Sequence, residues 1–281
     1  MIRVPSSKLS LADARAEGGD IRIVYSITDA IKIAKKEPFS EFVFFAIGFE
    51  TTAPTNAITV LRKPPKNFSL LVSHRLIPPI MELLLGVGEL EIDGFIAPGH
   101  VATVIGAKAF AIFPEAYNMP TIIAGFEPLD VLLAILMLLR QIRSKKAKLE
   151  NEYTRSVTWE GNLRAQAAMN RVFDIVDGSW RGIGRVPSSA LMLKEEFSEY
   201  DAHIKYNVKV KMGIDIHPGC SCHLIMVGKL KPSECPLFMK ACTPSNPKGP
   251  CMVSREGACR IWAEHGYSGC IKKFKSATKT K

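Results

Sequence analysis

The run FVFFAIGFETTAPT (42–55) decides the architecture of this 281-residue chain. Phe42–Ile47 is continuously apolar, which suits a strand of a parallel sheet covered on both faces. It stops at Gly48, and after Phe49-Glu50-Thr51-Thr52-Ala53-Pro54 the stretch Thr55–Leu61 has the make-up of a helix. The same plan recurs three times. Phe68–Ser73 ends at His74 and, past Pro78-Pro79, is followed by the helical Ile80–Leu85. Gly94–Ala97 leads through Pro98-Gly99-His100 to a helix near Val101–Phe110. Thr121–Ala124 leads through Gly125-Phe126-Glu127-Pro128-Leu129-Asp130 to Val131–Arg140. Four strand–loop–helix units predict an α/β fold, with parallel sheet flanked by helices. Gly-Phe-Glu at both 48–50 and 125–127 hints at an internal repeat.

Sheets of this kind bind ligands beyond the carboxyl ends of their strands. The residues there are Glu50, Thr51, Thr52, His74, His100, Glu127 and Asp130, a polar and titratable rim that forms the candidate catalytic set. Each has an ordinary alternative. Thr51, Thr52 or Asp130 can cap the helix that follows, and a histidine after a strand is commonly a hydrogen-bonded structural residue.

Outward from this centre the patterns weaken. Met1–Gly19 reads as irregular, Ile21–Tyr25 as a short strand and Asp29–Lys36 as a helix ended by Pro38. Beyond residue 149 an amphipathic helix carries Leu163, Ala167, Val172 and Phe173, residues 180–193 are punctuated by Gly and Pro, and Glu195–Ala202 reads as an acidic helix.

Hydrophobic residues make up 47% of the chain and charged ones 23%, enough for a real core. The longest apolar run, Val131–Leu139, is far too short to span a bilayer and suits a buried helix. The net charge of +10 collects in Arg140, Arg143, Lys145, Lys146 and Lys148 and in the tail Lys272–Lys281. Without interleaved aromatics, these patches fit a solvated surface better than a nucleic-acid site. Met1–Ser10 has no apolar run for secretion, so a cytoplasmic, reducing compartment is expected.

All seven cysteines follow this basic, cysteine-free body: Cys220, Cys222, Cys235, Cys242, Cys251, Cys259 and Cys270. Such crowding points to disulfides, zinc or an iron–sulfur cluster. The reducing compartment disfavours disulfides. Structural zinc usually takes ligands in close pairs, and there is no CxxC. Cys235, Cys242, Cys251 and Cys259 stand singly among Pro- and Gly-rich turns, which suits thiolates bent round a bulky cuboidal cluster.

The run CPLFMKACTPSNPKGPCMVSREGAC (235–259) resembles the carboxy-terminal signature of the HypD family, which matures [NiFe] hydrogenases. GFETTAPT (48–55), SHRLIPPIM (73–81), DGFIAPGHVATVIG (93–106) and AGFEPLD (124–130) resemble motifs of the same family, and the likeness runs from about Arg3 to about Gly266. The resemblance implies a [4Fe-4S] cluster on Cys235, Cys242, Cys251 and Cys259. It also implies a scaffold for the Fe(CN)2CO unit, iron carrying cyanide and carbonyl, built with a HypC-type chaperone and a HypE-type cyanide donor. Cys220 and Cys222 match a CxC that precedes the cluster segment; His223 stands where the family usually has Gly. The family carries a further stretch before a motif like MIRVPSS, with a Cys-Gly-Thr-His motif for the iron and a Cys-Pro-x-Cys motif. A mis-called start, a split gene or a degenerate relative would each account for the difference, and without that thiolate the chain is not expected to hold the iron–cyanide–carbonyl unit. The expected organisation is the remainder of an incomplete α/β domain (1–37), an α/β domain of four units (38–148), and a mixed helical region (149–281) carrying the Cys-rich iron–sulfur segment 220–259. The reading from the residues alone keeps a zinc-stabilised basic binding module as the alternative function.

Overall fold

The computed structural model describes residues 9–86, 90–208 and 216–266, with Ile2 and Val4. Cys270, the tail Lys272–Lys281 and most of the MIRVPSS motif lie outside the described residues. The chain starts with two helices, α1 (Leu11–Ala16) and α2 (Ile27–Lys36). The first was expected to be irregular; Ser10 and Asp13 close a reciprocal cap that starts it. No strand forms over 21–25.

The four units then appear in order: β1 (Phe42–Gly48) and α3 (Ala53–Leu61), β2 (Phe68–His74) and α4 (Ile77–Gly86), β3 (Phe95–Pro98) and α5 (Gly99–Ile105), with α6 (Ile112–Tyr117) before β4 (Thr121–Ala124) and α7 (Pro128–Ser144). They do not share one sheet. β1 pairs in parallel with β2, Phe42 against Phe68 through Gly48 against His74. β3 and β4 pair in parallel, and a short β5 (Leu149–Asn151) extends that sheet beside β4. Helix α8 (Leu163–Val172) leads into an antiparallel hairpin, β6 (Phe173–Trp180) and β7 (Gly184–Leu193), which lies against β2 through a bridge from Arg75 to Ala190. Helices α9 (Ala202–Lys205), α10 (Cys222–Met226), α11 (Pro250–Val253) and α12 (Ala258–Ile261) follow among the described residues; the last three are single turns around the cysteines.

Each body has its own core. Ala46, Val60, Phe68 and Leu70 join Val172 of α8 and Leu191 and Leu193 of β7, so the hairpin closes the first sheet. Val101, Phe110, Phe113, Ile123 and Val157 form the second core. Burying one such large side chain stabilises the fold by about 1.5–3 kcal/mol. The expectation of sheets covered on both faces does not hold everywhere. β1 alternates, leaving Val43 and Phe45 exposed. The expectation of a buried Val131–Leu139 also fails: α7 buries Asp130, Ala134 and Gln141, packs Met137 and Leu138 against Ile122 and Ala124, and exposes its other leucines.

Candidate functional site

The polar rim divides between the two parallel sheets. At the end of the first, β1 finishes at Gly48 with φ +119, where a Cβ would lie 2.3 Å from Thr52 Oγ1. That approach lets the Thr52 hydroxyl donate to Ile47 O (3.1 Å) and Phe49 O (3.2 Å), closing the loop, while Thr51 is exposed. The turn carries Glu50 inward, where it is 2% exposed. Oε1 of Glu50 accepts from the Ile77 N–H at the start of α4 (2.9 Å), and Oε2 has no partner. Burial pushes the carboxyl up to about 7.

His74 ends β2 beside Gly48 and is fully buried. Its Nε2 lies 2.7 Å from Asn56 Nδ2, so Nε2 accepts and the proton sits on Nδ1, which has no partner. Burial lowers its pKa to about 4 and keeps the ring neutral. Phe49 is stacked on Trp180 of β6, whose Nε1 donates to Ser189 Oγ (2.8 Å).

The second sheet treats its rim residues differently. His100 is exposed and lies against Phe126, ring centroids 4.4 Å apart. Glu127 is exposed and its Oε2 is 3.7 Å from Arg155. Asp130 is buried and accepts both arms of the Arg155 guanidinium, at 2.9 and 2.6 Å. Asp130 also accepts from the Glu127 N–H, and its bond to Arg155 holds the carboxyl below its ordinary range. Its acceptors are occupied by the protein's own donors. Asn56, Arg155 and Trp180 organise the rim and were not foreseen; each is a lone polar residue in a helix, loop or strand with no spacing to mark it.

The cysteines lie elsewhere. Cys220, Cys222, Cys235, Cys242, Cys251 and Cys259 are all buried, all unpaired and all in one apolar cluster with Ile225 and Met252. Five of them, Cys220, Cys222, Cys235, Cys242 and Cys259, line one cavity, together with Leu237, Phe238 and Gly249. Cys251 touches two of these thiols, Cys222 and Cys259. Its N–H donates to Cys222 Sγ (3.5 Å), and the Lys248 N–H donates to Cys242 Sγ (3.3 Å). A Cβ on Gly249 would lie 2.3 Å from Cys220 Sγ and 2.9 Å from Cys222 Sγ, so only glycine leaves room for both thiols. The bond to Cys222 lowers the Cys220 thiol to about 6, and the bond to Cys222 together with burial lifts Cys251 to about 12. Deprotonating several of these thiols in so apolar a space would require a cationic centre among them. No group of three or more His, Cys, Asp or Glu among the described residues is arranged about a single ion. The thiols are gathered about a cavity, with Cys222, Cys251 and Cys259 touching one another, an arrangement that fits a multi-atom cluster.

The comparisons with known proteins fall on nearly the whole chain. The family profile "HypD: Hydrogenase formation hypA family" matches residues 1–266. A hydrogenase maturation factor HypD of Azotobacter vinelandii is 46% identical over 276 residues, covering 95% of this chain and 73% of that protein. A putative hydrogenase expression/formation protein of Methanocaldococcus jannaschii is 47% identical over 268 residues, 94% of this chain and 74% of its own. The hydrogenase maturation factor HypD of Cupriavidus necator is 45% identical over 276 residues, with 94% and 73% covered.

Proposed function

The chain belongs to the HypD family, and from that premise we propose that it works in hydrogenase maturation as a scaffold for the Fe(CN)2CO unit, holding a [4Fe-4S] cluster in its thiol cavity. The observation that carries this reading is the gathering of six free, buried thiols in one apolar cluster. Cys235, Cys242 and Cys259 belong to the set the family resemblance implies and also line the cavity. The fourth member of that set, Cys251, touches Cys259 and Cys222 beside the cavity. Such a cluster, when bound, supplies single electrons at a potential tuned by hydrogen bonds to its sulfurs. The Lys248 N–H, aimed at Cys242 Sγ, is one such donor. Cys220 and Cys222 then remain as a contacting dithiol beside the ligands.

The iron with its cyanide and carbonyl ligands is cargo, received with a HypC-type chaperone and a HypE-type cyanide donor. On the cargo side, Glu50 and His74 offer two of the three buried side-chain polar atoms left unpartnered among the described residues, the third being Asn151 Oδ1. Thr52 and Asp130 serve the backbone and Arg155 instead. Among the described residues no helix is long and apolar enough to cross a membrane.

Anaerobic purification with iron and acid-labile sulfide assays tests the cluster. Cys235→Ser, Cys242→Ser, Cys251→Ser and Cys259→Ser should each lose both, whereas Cys220→Ser should keep them. Loss in Cys220→Ser with retention in Cys251→Ser moves the fourth ligand to Cys220. Full retention in every variant, or a colourless protein carrying zinc, ends the cluster assignment.

A further inference from the structure

The first sheet has one bare edge. The Phe42 N–H donates to Asn67 O, and Gly48 O accepts from the Arg75 N–H, so the backbone of Phe42, Phe44, Ala46 and Gly48 faces β2. Successive residues of a strand turn opposite ways, which aims the N–H and C=O groups of Val43, Phe45 and Ile47 away from β2. Ile47 O is taken by the Thr52 hydroxyl. Among the described residues no strand pairs with the rest of that edge.

The face beside this edge is bare as well. Val43 is in register with Ser69, and Phe45 with Leu71, so each pair shares one face of the sheet. Ser69 is fully buried, whereas Val43 is 49% and Phe45 36% exposed. The cover over β2 thus stops before β1. Ile21–Tyr25 has the make-up of a strand and forms none; Arg22 lies over the Phe42 ring, 5.5 Å from its centroid, and Ile23 and Tyr25 are exposed.

An open strand edge is a template for another backbone, and a parallel sheet is normally covered by helices on both faces. The two gaps ask for one kind of occupant: a strand that extends the sheet past β1 and a helix that lies over Val43 and Phe45. The relatives have chain to supply it. The match takes in 95% of this chain but 73% of the Azotobacter vinelandii protein, and 94% against 74% for that of Methanocaldococcus jannaschii, so about a quarter of each relative lies outside it. We propose that the bare edge and face are the seat of a strand–helix segment from that outlying quarter, whether joined to these residues or supplied as a separate polypeptide. A second copy of this chain fits less well. A twofold axis at the edge would bring two β1 strands together antiparallel and leave Val43 and Phe45 uncovered in both.

Co-production tests the seat. The 281-residue chain, carrying an affinity tag, is made in the same cells as the outlying part of the Azotobacter vinelandii protein, so neither has to fold alone. The two should purify together and sediment as a one-to-one complex. Hydrogen exchange at the Val43 and Phe45 amides and across 21–25 should slow by on the order of tenfold or more relative to the tagged chain alone. Val43→Lys and Phe45→Lys combined in one chain alter only exposed side chains; they should abolish the complex and leave the circular-dichroism melt as in the wild type. Failure to co-purify overturns the proposal. So does a complex that survives both lysines, or one whose added protection falls elsewhere. So, too, does a tagged chain that pairs with itself and already protects Val43 and Phe45. None of these readouts involves iron or sulfide, so the seat and the cluster stand or fall separately.

Discussion

The thiol cavity and the rim of β1 and β2 both place reactive side chains within apolar walls, yet they are built in opposite ways. Around the cavity, one residue type arrives six times within forty residues, carried by turns and single-turn helices. At the rim, different residue types arrive once each, fixed by strand register and helix starts: His74 opposite Gly48, and Glu50 on the Ile77 N–H. The rim rests on large buried side chains such as Phe68 and Leu70. The cavity's own core consists largely of its thiols, so whatever they bind contributes to its folding free energy. A site on regular elements holds its geometry alone; a site of converging loops takes its order from its ligand.

The most damaging change to one side of this contrast is Gly249→Ala. Its methyl would collide with Cys220 and Cys222 Sγ, so iron and sulfide content should fall to background. Far-UV circular dichroism should stay as in the wild type, because no sheet is touched. Normal iron content in this variant would mean that the thiols are free to move aside.

The opposite cut is Phe113→Ala in the second core, where the ring is fully buried against Phe95 and Phe110. A loss of about 3–5 kcal/mol in urea unfolding is expected, with iron content intact at low denaturant. Parallel loss of iron would show that cavity and sheets form one cooperative unit.

The rim's own burial is read by pH. Glu50 has a folded pKa of about 7 against an ordinary 4.5, so the folded state binds the extra proton and stability falls as pH rises between those values. His74 has a folded pKa of about 4 against 6.5, so its contribution rises with pH over that interval. The two oppose each other between pH 4.5 and 6.5. Above that window only Glu50 acts. Glu50→Gln should therefore gain on the wild type by about 2–3 kcal/mol in going from about pH 5 to about pH 8. Urea midpoints at the two values measure it; a constant difference would place the carboxylate in water.

The sequence shows β1 to β4 clearly, because each is a continuous apolar run cut off by Gly, His or Pro. It hides the β6–β7 hairpin. Gly178 and Pro187 interrupt the pattern, and a register shift between Val176 and Gly178 breaks the alternation. β5 is hidden too, with three residues of mixed polarity, Leu149-Glu150-Asn151. That four units make two sheets is a matter of which strand meets which, and local periodicity carries no such information. The cysteines announce themselves by type and crowding. Which five line the cavity depends on turns such as Met239, held at φ +53, and spacing alone cannot supply that. The rim residues are legible as strand ends, but Asp130's saturation by Arg155 is a contact across twenty-five residues.

The finest division is between neighbours. Thr51 and Thr52 follow β1 equally well in sequence, yet only the Thr52 hydroxyl bridges Ile47 O and Phe49 O. An intramolecular hydrogen bond of this kind contributes about 1 kcal/mol net. Thr52→Ala should cost about that much in urea unfolding and loosen the turn that holds Glu50 inward, so its pH response should shrink toward that of Glu50→Gln. Thr52→Ser keeps the hydroxyl and should restore both. Thr51→Ala should leave stability within about 0.5 kcal/mol of wild type, as exposed substitutions generally do. If Thr51→Ala instead abolishes hydrogenase maturation in cells while leaving stability alone, the outward threonine faces the cargo, and the rim then divides into one residue that builds the turn and one that the turn presents.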